Sequence, residues 1–171
     1  MENNDILIRL RYALDIKDAD MVEIFNLGGK IVTKEEVKEM LTKTSDSDDE
    51  YVDYANICSD NMLESFFNGL ITYKRGKQDP KPEQPNKSTQ FPKTNESINN
   101  ILLKRVKIAL SLTSEDMLDI LEKAGVTITK GELSAVLRKE GHRNYKVCGD
   151  RYARNFLKGL AIKYREQGIQ S

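Results

Sequence analysis

An internal repeat is the feature that most constrains how this chain can fold. Residues 100–137 match residues 4–41 at a constant offset of 96 positions, without a gap. A second block, residues 148–165, matches residues 58–75 at an offset of 90, so the first copy holds 6 extra residues between its blocks. Because a duplicated sequence folds into duplicated structure, we predict two homologous units related by pseudo-twofold symmetry.

Composition places the boundary between the two copies. All four prolines fall within residues 79–98, together with Gln, Asn, Lys, Ser and Thr, and this segment has almost nothing to bury. We therefore predict an N-terminal repeat over residues 1–78, a flexible Pro-rich linker over 79–98, and a C-terminal repeat over 99–171. Each repeat alone has a marginal core, so we expect the two to pack on each other.

Apolar residues recur at helical spacing in both copies, which predicts an all-α fold of two four-helix repeats. Thr33 and Glu36 have the spacing of a helix-capping box, and the second copy repeats this spacing. Gly69 and Gly159 fall in the middle of the last helix of each repeat, where glycine costs about 1 kcal/mol relative to alanine. We predict that these glycines let another helix approach closely.

The net charge of zero conceals an unequal distribution. Residues 1–78 hold 10 Lys and Arg against 16 Asp and Glu, whereas residues 99–171 hold 14 against 8. Two interpretations remain open: opposite charges help the two halves dock, or the second copy meets an anionic partner. The acidic segment 45–53 lacks the glycine-centred pattern of a calcium loop and is predicted to be solvated.

Basic residues crowd the end of the second copy, in the segment before its last helix and along that helix. The first copy has Asn61, Glu64 and Asn68 at matching helical positions, so the fold does not need these cations. Tyr145 and Tyr152 add possible stacking groups. This candidate cationic surface for an anion or nucleic acid consists of Arg138, Lys139, His142, Arg143, Lys146, Arg151, Arg154, Lys158 and Arg165.

Other residue pairs occupy equal positions in the two copies and favour structural roles. Cys58 and Cys148 precede the last helix of each copy; a redox site is the alternative to a pair of small buried side chains. An ion pair within each repeat, or a ligand site formed twice, would explain the remaining repeated charges. The predicted ion pairs join Arg9 to Asp20 and Arg105 to Asp116.

The sequence disfavours an enzyme and predicts no catalytic residue, metal site or cofactor. A nucleophilic triad would have to use His142, the single histidine, which has no counterpart in the first copy. Two cysteines and one histidine cannot complete a four-ligand nitrogen and sulfur site. Phosphate-binding glycine loops and dinucleotide fingerprints are missing from the sequence.

Several motifs resemble those of the bacterial YehS-like family. They are Asn3-Asn4 with Leu7 and Arg9, Cys58-Ser59-Asp60, Phe67-Asn68-Gly69-Leu70-Ile71 with Arg75-Gly76-Lys77, and in the second copy Asn99-Asn100, Cys148-Gly149-Asp150 and Phe156-Leu157-Lys158-Gly159-Leu160. The resemblance covers nearly the whole chain outside the linker. It implies a two-repeat helical cytoplasmic protein and carries no assigned activity.

Two classes of function follow. The first is a non-catalytic binding module, acting on a protein partner or as a regulatory adaptor. The second is a nucleic-acid-binding protein that uses the cationic surface, although the helix-turn-helix pattern is lacking. The same surface could instead dock on segment 45–53 or on another subunit. We expect a cytoplasmic location without a membrane span, because the sequence has no long apolar run and an acidic N-terminus.

Overall fold

The computed structural model describes residues 2–42, 56–75, 97–139 and 141–170, with side chains described as far as Arg165. Regular structure in these ranges is helical throughout, which confirms the prediction of two four-helix repeats. The predictions for segment 45–53 and for nearly all of the linker lie outside the described residues. The helices are α1 (Asn3–Leu14), α2 (Asp18–Leu27), α3 (Lys34–Leu41), α4 (Asp60–Arg75), α5 (Ile98–Ala109), α6 (Ser114–Lys123), α7 (Lys130–Leu137) and α8 (Asp150–Gln170).

Local sequence signals start the third helix of each repeat. In α3 the Thr33 hydroxyl accepts from the Glu36 backbone N–H at 3.1 Å, and the Glu36 carboxylate accepts from the Thr33 N–H at 3.3 Å. In α7 the Thr129 hydroxyl accepts from the Glu132 N–H at 3.1 Å. The predicted cap therefore forms at both sites, and the complete reciprocal box is seen in the first repeat.

The two repeats interlock through one continuous hydrophobic core. Helix α1 packs on α8 and α4 packs on α5, so each of these contacts joins one repeat to the other. Leu10, Phe66, Leu103 and Phe156 are fully buried in the shared core. A core drawn from both repeats overcomes the small size of each.

Matched polar contacts show the pseudo-twofold relation directly. The Arg75 guanidinium donates to the Ile108 carbonyl at 3.4 Å, and the equivalent Arg165 donates to the Tyr12 carbonyl at 2.9 Å. Tyr12 and Ile108 are themselves equivalent positions, at the same offset as the first repeated block. Arg165 also stacks on the Tyr12 ring, with its guanidinium carbon 4.0 Å from the ring centroid. Within the described ranges, no helix is long and apolar enough to cross a lipid bilayer.

Close helix approach explains the glycines in α4 and α8. A Cβ atom at Gly69 would lie 1.7 Å from the Ile24 carbonyl oxygen in α2, and one at Gly159 would lie 1.9 Å from the Ile120 oxygen in α6. Gly28, at the end of α2, faces α4 just as closely, with 1.7 Å from its would-be Cβ to the Ser65 oxygen. The structure thus confirms the predicted role of the paired glycines.

The first helix of each repeat ends in a left-handed residue that is not glycine. Asp15 has a φ of 52° and Ser111 a φ of 53°. Because this conformation strains residues with a Cβ atom, we expect Ser111→Gly to raise the free energy of unfolding by about 0.5–1 kcal/mol. Urea denaturation measures this change. Ser134→Gly, in the exposed part of α7, should have the opposite sign, and a loss of stability in both variants would contradict the prediction.

Candidate functional site

A buried asparagine anchors the segment that carries most of the cationic surface. Asn100 has no solvent exposure, and its amide nitrogen donates to the carbonyls of Val136 and Lys146, each at 2.9 Å. Its amide oxygen accepts from the Cys148 backbone N–H at 2.8 Å. One side chain therefore joins α5 to the end of α7 and to the segment that enters α8.

The first repeat contains the same arrangement. Asn4 donates to the carbonyls of Met40 at 2.8 Å and Asn56 at 2.7 Å, and it accepts from the Cys58 N–H at 2.9 Å. These bonds satisfy a buried amide that would be costly to leave unpaired. The second asparagine of the repeated Asn-Asn motif therefore has a structural role in both repeats.

The neighbouring asparagines complete these connections. Asn99 donates to the Cys148 carbonyl at 3.1 Å and to the Asp150 carboxylate at 2.8 Å. Asn3 makes the matching bonds to Cys58 at 3.1 Å and to Asp60 at 2.7 Å. The Asn-Asn and Cys-x-Asp motifs thus recognise each other across each repeat and fix the start of its last helix.

The basic segment between α7 and α8 is held at its far end; Lys139, Arg143 and Lys146 are exposed, whereas Arg138 is half-buried. The Lys146 backbone N–H donates to the Ala135 carbonyl at 2.9 Å, while the Lys146 side chain is exposed. His142 accepts a backbone N–H from Asn144 on its Nδ1 atom at 3.1 Å. On the other side of the ring, the Nε2 atom lies 3.5 Å from the Arg138 Nη1 atom. His142 therefore braces this turn.

Three cations form a line along α8. Arg151, Arg154 and Lys158 are all exposed, and their spacing of three and four residues places them on one face of the helix. At a rise of 1.5 Å per residue, the line is about 10 Å long. We call these three residues the α8 stripe.

Arg165 is exposed, but its guanidinium also contacts the other repeat. Its guanidinium is engaged by the carbonyl and the ring of Tyr12 in the other repeat. The first repeat uses Arg75 in the same way. The repeated arginine is therefore part of the interface between the halves, and its charge is shared with a carbonyl and an aromatic ring.

A groove opens where the basic segment meets the start of α8. Its volume is about 550 Å³, and cationic, polar and apolar side chains, with the one carboxylate of Glu132, line it from four successive parts of the repeat. We call it the C-terminal groove. Its lining comprises Gly125, Val126, Thr127 and Ile128 after α6, Glu132 and Val136 of α7, Lys146, Val147 and Gly149 before α8, and Arg151, Tyr152 and Asn155 of α8.

Tyr152 contributes a buried hydroxyl to the wall of this groove. Burial raises the pKa of this hydroxyl, and the nearby Cys148 and Glu132 raise it further. The hydroxyl is therefore a neutral donor at physiological pH, and it has no hydrogen-bond partner within the described part of the chain.

The matching surface of the N-terminal repeat has different chemistry. Asn56 and Asn61 stand where the C-terminal groove has Lys146 and Arg151, and Met62 replaces Tyr152. Ile31 and Ile57 project from this surface, with 89% and 66% of their areas exposed. The shared fold therefore presents the cations Lys146 and Arg151 on one repeat, and neutral asparagines beside exposed isoleucines in the matching region of the other.

Both cysteines are free and buried. Burial, with a smaller effect of the Asp150 carboxylate, raises the pKa of the Cys148 thiol to about 12, and burial with Asp60 does the same for Cys58. Because the thiolate is the reactive form, these thiols are poorly suited to nucleophilic or redox chemistry in the folded chain.

Thiol labelling tests this conclusion. At about pH 8, native chain should react with a maleimide at least about 100-fold more slowly than chain unfolded in guanidinium, because burial and a raised pKa both withhold the thiolate. Ser134→Cys, which adds an exposed thiol, serves as the reactive control. Rapid labelling of Cys58 or Cys148 in the native chain would contradict the assignment.

The structure does not form the predicted ion pair between Arg9 and Asp20. Arg9 pairs with Asp5 one helical turn earlier, at 3.0 Å between Nε and Oδ2. Asp116 caps its own helix: its carboxylate accepts the Thr113 backbone N–H at 2.9 Å. Asp116 also lies 4.0 Å from the Lys163 ammonium of α8. Because Arg9 pairs with Asp5, the prediction of an Arg9–Asp20 pair was wrong.

Sequence reasoning missed the groove itself. It identified Lys146 and Arg151 as cations and Tyr152 as a stacking group, but it did not place Val126, Ile128 or Val147 beside them. A usable signal was present: Ile57 and Val147 are large apolar residues at matching positions outside the helices. Val147 is 62% exposed in the structure.

Comparison with known proteins gives a family and no activity. The model of a family described as proteins of unknown function, DUF1456, matches residues 3–76 and 99–166, which are the two repeats. The chain is 36% identical over 164 residues to an uncharacterized protein, YehS, of Escherichia coli K12; the match covers 95% of this chain and 96% of that protein. No solved structure matches the chain.

Proposed function

This chain belongs to the DUF1456 family of proteins of unknown function, and we propose that it is a non-catalytic binding module whose C-terminal groove takes an acidic, partly apolar segment of a protein partner. The observation that carries the proposal is the placement of Lys146 and Arg151 on an apolar groove. Asparagines fill both positions in the other repeat, so the fold forms without these cations.

Because both apolar and cationic side chains line the C-terminal groove, it favours a peptide that has both apolar and acidic residues. Val147, Val126 and Ile128 supply apolar surface, worth about 25 cal/mol for each Å² removed from water on binding. Lys146 and Arg151 favour carboxylates on the ligand, each rim pair contributing about 0.2–1 kcal/mol. Apolar contacts would thus supply most of the affinity, and the cations would select an acidic sequence.

Two further observations support a binding role over catalysis. The single histidine uses its Nδ1 atom to accept a backbone N–H within its own turn. Both thiols are buried and held in the protonated form. The imidazole and the two thiols, which are the usual nucleophilic side chains, thus have structural roles here.

Fluorescence anisotropy with labelled peptides tests the proposal. The probe is a peptide of about 12 residues that places Leu on one face of a helix and Glu on the other. A matched peptide has Gln in place of Glu. We expect the acidic peptide to bind more tightly, and the double variant Lys146→Glu, Arg151→Glu to weaken it by about tenfold or more.

A matched variant distinguishes the groove from general electrostatic attraction. Lys158→Glu makes the same charge change on the same helix, outside the groove lining, and should change affinity by less than about threefold. The proposal fails if Lys158→Glu weakens binding as much as Arg151→Glu alone, or if neither peptide binds.

A second candidate function, nucleic-acid binding, is favoured by the α8 stripe. Arg151, Arg154 and Lys158 line up over about 10 Å, a length that can follow neighbouring phosphates of one strand. Tyr145 precedes α8 in the chain, and the Lys104 ammonium lies 5.7 Å from its ring centroid. The stripe could therefore combine phosphate contacts with limited stacking.

Salt dependence separates this candidate from the first. Binding to single-stranded RNA or duplex DNA at about 50 mM salt should weaken steeply as salt rises, and Arg154→Glu with Lys158→Glu should abolish it. The same variant leaves Lys146 and the apolar groove lining in place, so peptide binding should survive. Absence of nucleic-acid binding at low salt would exclude this function.

A further inference from the structure

We propose that the acidic segment recognised by the C-terminal groove also carries a primary ammonium group, which pairs with Glu132; this inference rests on the proposed function of the groove. The ammonium group belongs either to a lysine side chain or to the amino terminus of the partner. Its place is beside the carboxylates that meet Lys146 and Arg151. The ligand is therefore acidic overall and carries one positive charge at a fixed position.

Glu132 supplies the one carboxylate among the described residues that line the groove. It lies in the first turn of α7 and is exposed. Burial is the main cause of the raised pKa of the Tyr152 hydroxyl in the groove wall, and the charges of Cys148 and Glu132 raise this pKa further. The field of the Glu132 carboxylate therefore reaches the side of the groove that α8 forms.

The Glu132 carboxylate does not make the capping bond that its counterparts make. Helices α3, α6 and α7 each begin at a threonine whose hydroxyl accepts the backbone N–H of the residue three positions later. In α3 and α6 the acidic side chain at that later position accepts the threonine N–H in return, at 3.3 Å for Thr33 and 2.9 Å for Thr113. Within the described residues, α7 lacks this second bond. The carboxylate that lines the groove is thus available to a ligand.

The carboxylate and the two cations of the groove do not neutralise one another. Glu132, Lys146 and Arg151 are all exposed, yet the described part of the chain contains no ion pair that joins Glu132 to either cation. The groove therefore offers separate positive and negative positions. A ligand with carboxylates alone, or a strand of phosphates, would leave Glu132 facing like charge, whereas an added ammonium group complements both signs.

Fluorescence anisotropy with modified peptides tests the inference. The starting peptide is the acidic peptide described above, with an acetylated amino terminus and the fluorophore at its carboxyl end. One lysine replaces each Glu in turn, and each lysine peptide is compared with the same peptide carrying Nε-acetyl-lysine, which lacks the ammonium charge. At one position or more, we expect the lysine peptide to bind at least about threefold more tightly than its acetylated form.

The Glu132→Gln variant shows whether this preference comes from Glu132. It should bind the lysine and acetyl-lysine peptides equally, within about 1.5-fold. The chain should fold as before, because Gln is also favoured at this position of a helix cap and the Thr129 hydroxyl keeps its bond to the backbone N–H of residue 132. Glu122→Gln makes the same charge change at an exposed residue of α6, outside the groove lining, and should keep the preference.

A second pair of peptides distinguishes the two sources of the ammonium group. The lysine-free acidic peptide is prepared with a free and with an acetylated amino terminus. A preference for the free terminus that Glu132→Gln removes assigns the ammonium group to the amino terminus of the partner. A preference for lysine that Glu132→Gln removes assigns it to a side chain.

The outcomes separate this inference from the function on which it rests. If Lys146→Glu with Arg151→Glu weakens binding of the acidic peptide but no ammonium group improves it, the inference is overturned and the proposed function stands. A preference for the ammonium group that survives Glu132→Gln also overturns the inference. If no peptide binds the groove, both proposals fail.

Discussion

Gly69→Ala is expected to lower the free energy of unfolding by about 3 kcal/mol or more. The added methyl carbon would stand 1.7 Å from the Ile24 carbonyl oxygen, so α2 and α4 would have to separate along a packed interface. Overpacking usually costs 1–3 kcal/mol, and here the obstacle is backbone, which cannot change rotamer. For a chain of this size, the midpoint temperature of thermal unfolding should fall by about 10 °C. Thermal unfolding followed by circular dichroism measures it.

The chain offers a matched control for this experiment. Gly131 lies in α7, where the nearest atom to an added Cβ is the Thr129 hydroxyl at 3.7 Å. Gly131→Ala should therefore stabilise the chain, by up to about 1 kcal/mol, through helix propensity alone. Gly159→Ala should behave like Gly69→Ala. Equal effects at Gly69 and Gly131 would remove the close-approach explanation.

Asn100→Ala is expected to cost about 4 kcal/mol of stability. It would leave the Cys148 N–H and the carbonyls of Val136 and Lys146 without their partner, and each such group costs about 1–3 kcal/mol when it stays buried. Urea denaturation should show the loss. The segment that enters α8 should also become accessible to protease, because two of its anchors, at Lys146 and Cys148, are removed.

Asn100→Asp tests whether the two hydrogen bonds donated by the amide account for this loss of stability. The carboxylate has nearly the shape of the amide but cannot donate to two carbonyls, so this variant should be at least as unstable as Asn100→Ala. Asn144→Ala, which removes an exposed side chain, should change stability by less than about 0.5 kcal/mol. A stable Asn100→Asp variant would show that the two donated bonds contribute little.

The nature of each residue's partner explains which predictions succeeded. Helices and their caps depend on neighbours three or four residues away, so Thr33, Glu36 and the apolar pattern of α4 predicted them well. Arg9 had two possible carboxylates, and the sequence could not decide between Asp5 and Asp20. The nearer residue pairs with it because a single helix face holds both.

Long-range placement was harder to predict. Arg165 has the same charge and helical pattern as the stripe, yet its partner is Tyr12, 153 positions away in the chain. The groove combines Val126, Lys146 and Tyr152, which the repeat brings together only once α6, α7 and α8 have packed. The asparagine motif was recognised as a family feature, and its role became visible only when Asn100 was found buried between three backbone groups.

By itself, the sequence determined the duplication, the helices, the close-approach glycines and the charge difference between the halves, because these follow from periodicity and composition. Only the tertiary structure decided that the repeats interlock through α1 with α8 and α4 with α5, that Arg165 is engaged at their interface, and that two cations line an apolar groove. The physical reason is that helix packing joins residues far apart in the chain, and the register of that packing is chosen by the whole core at once.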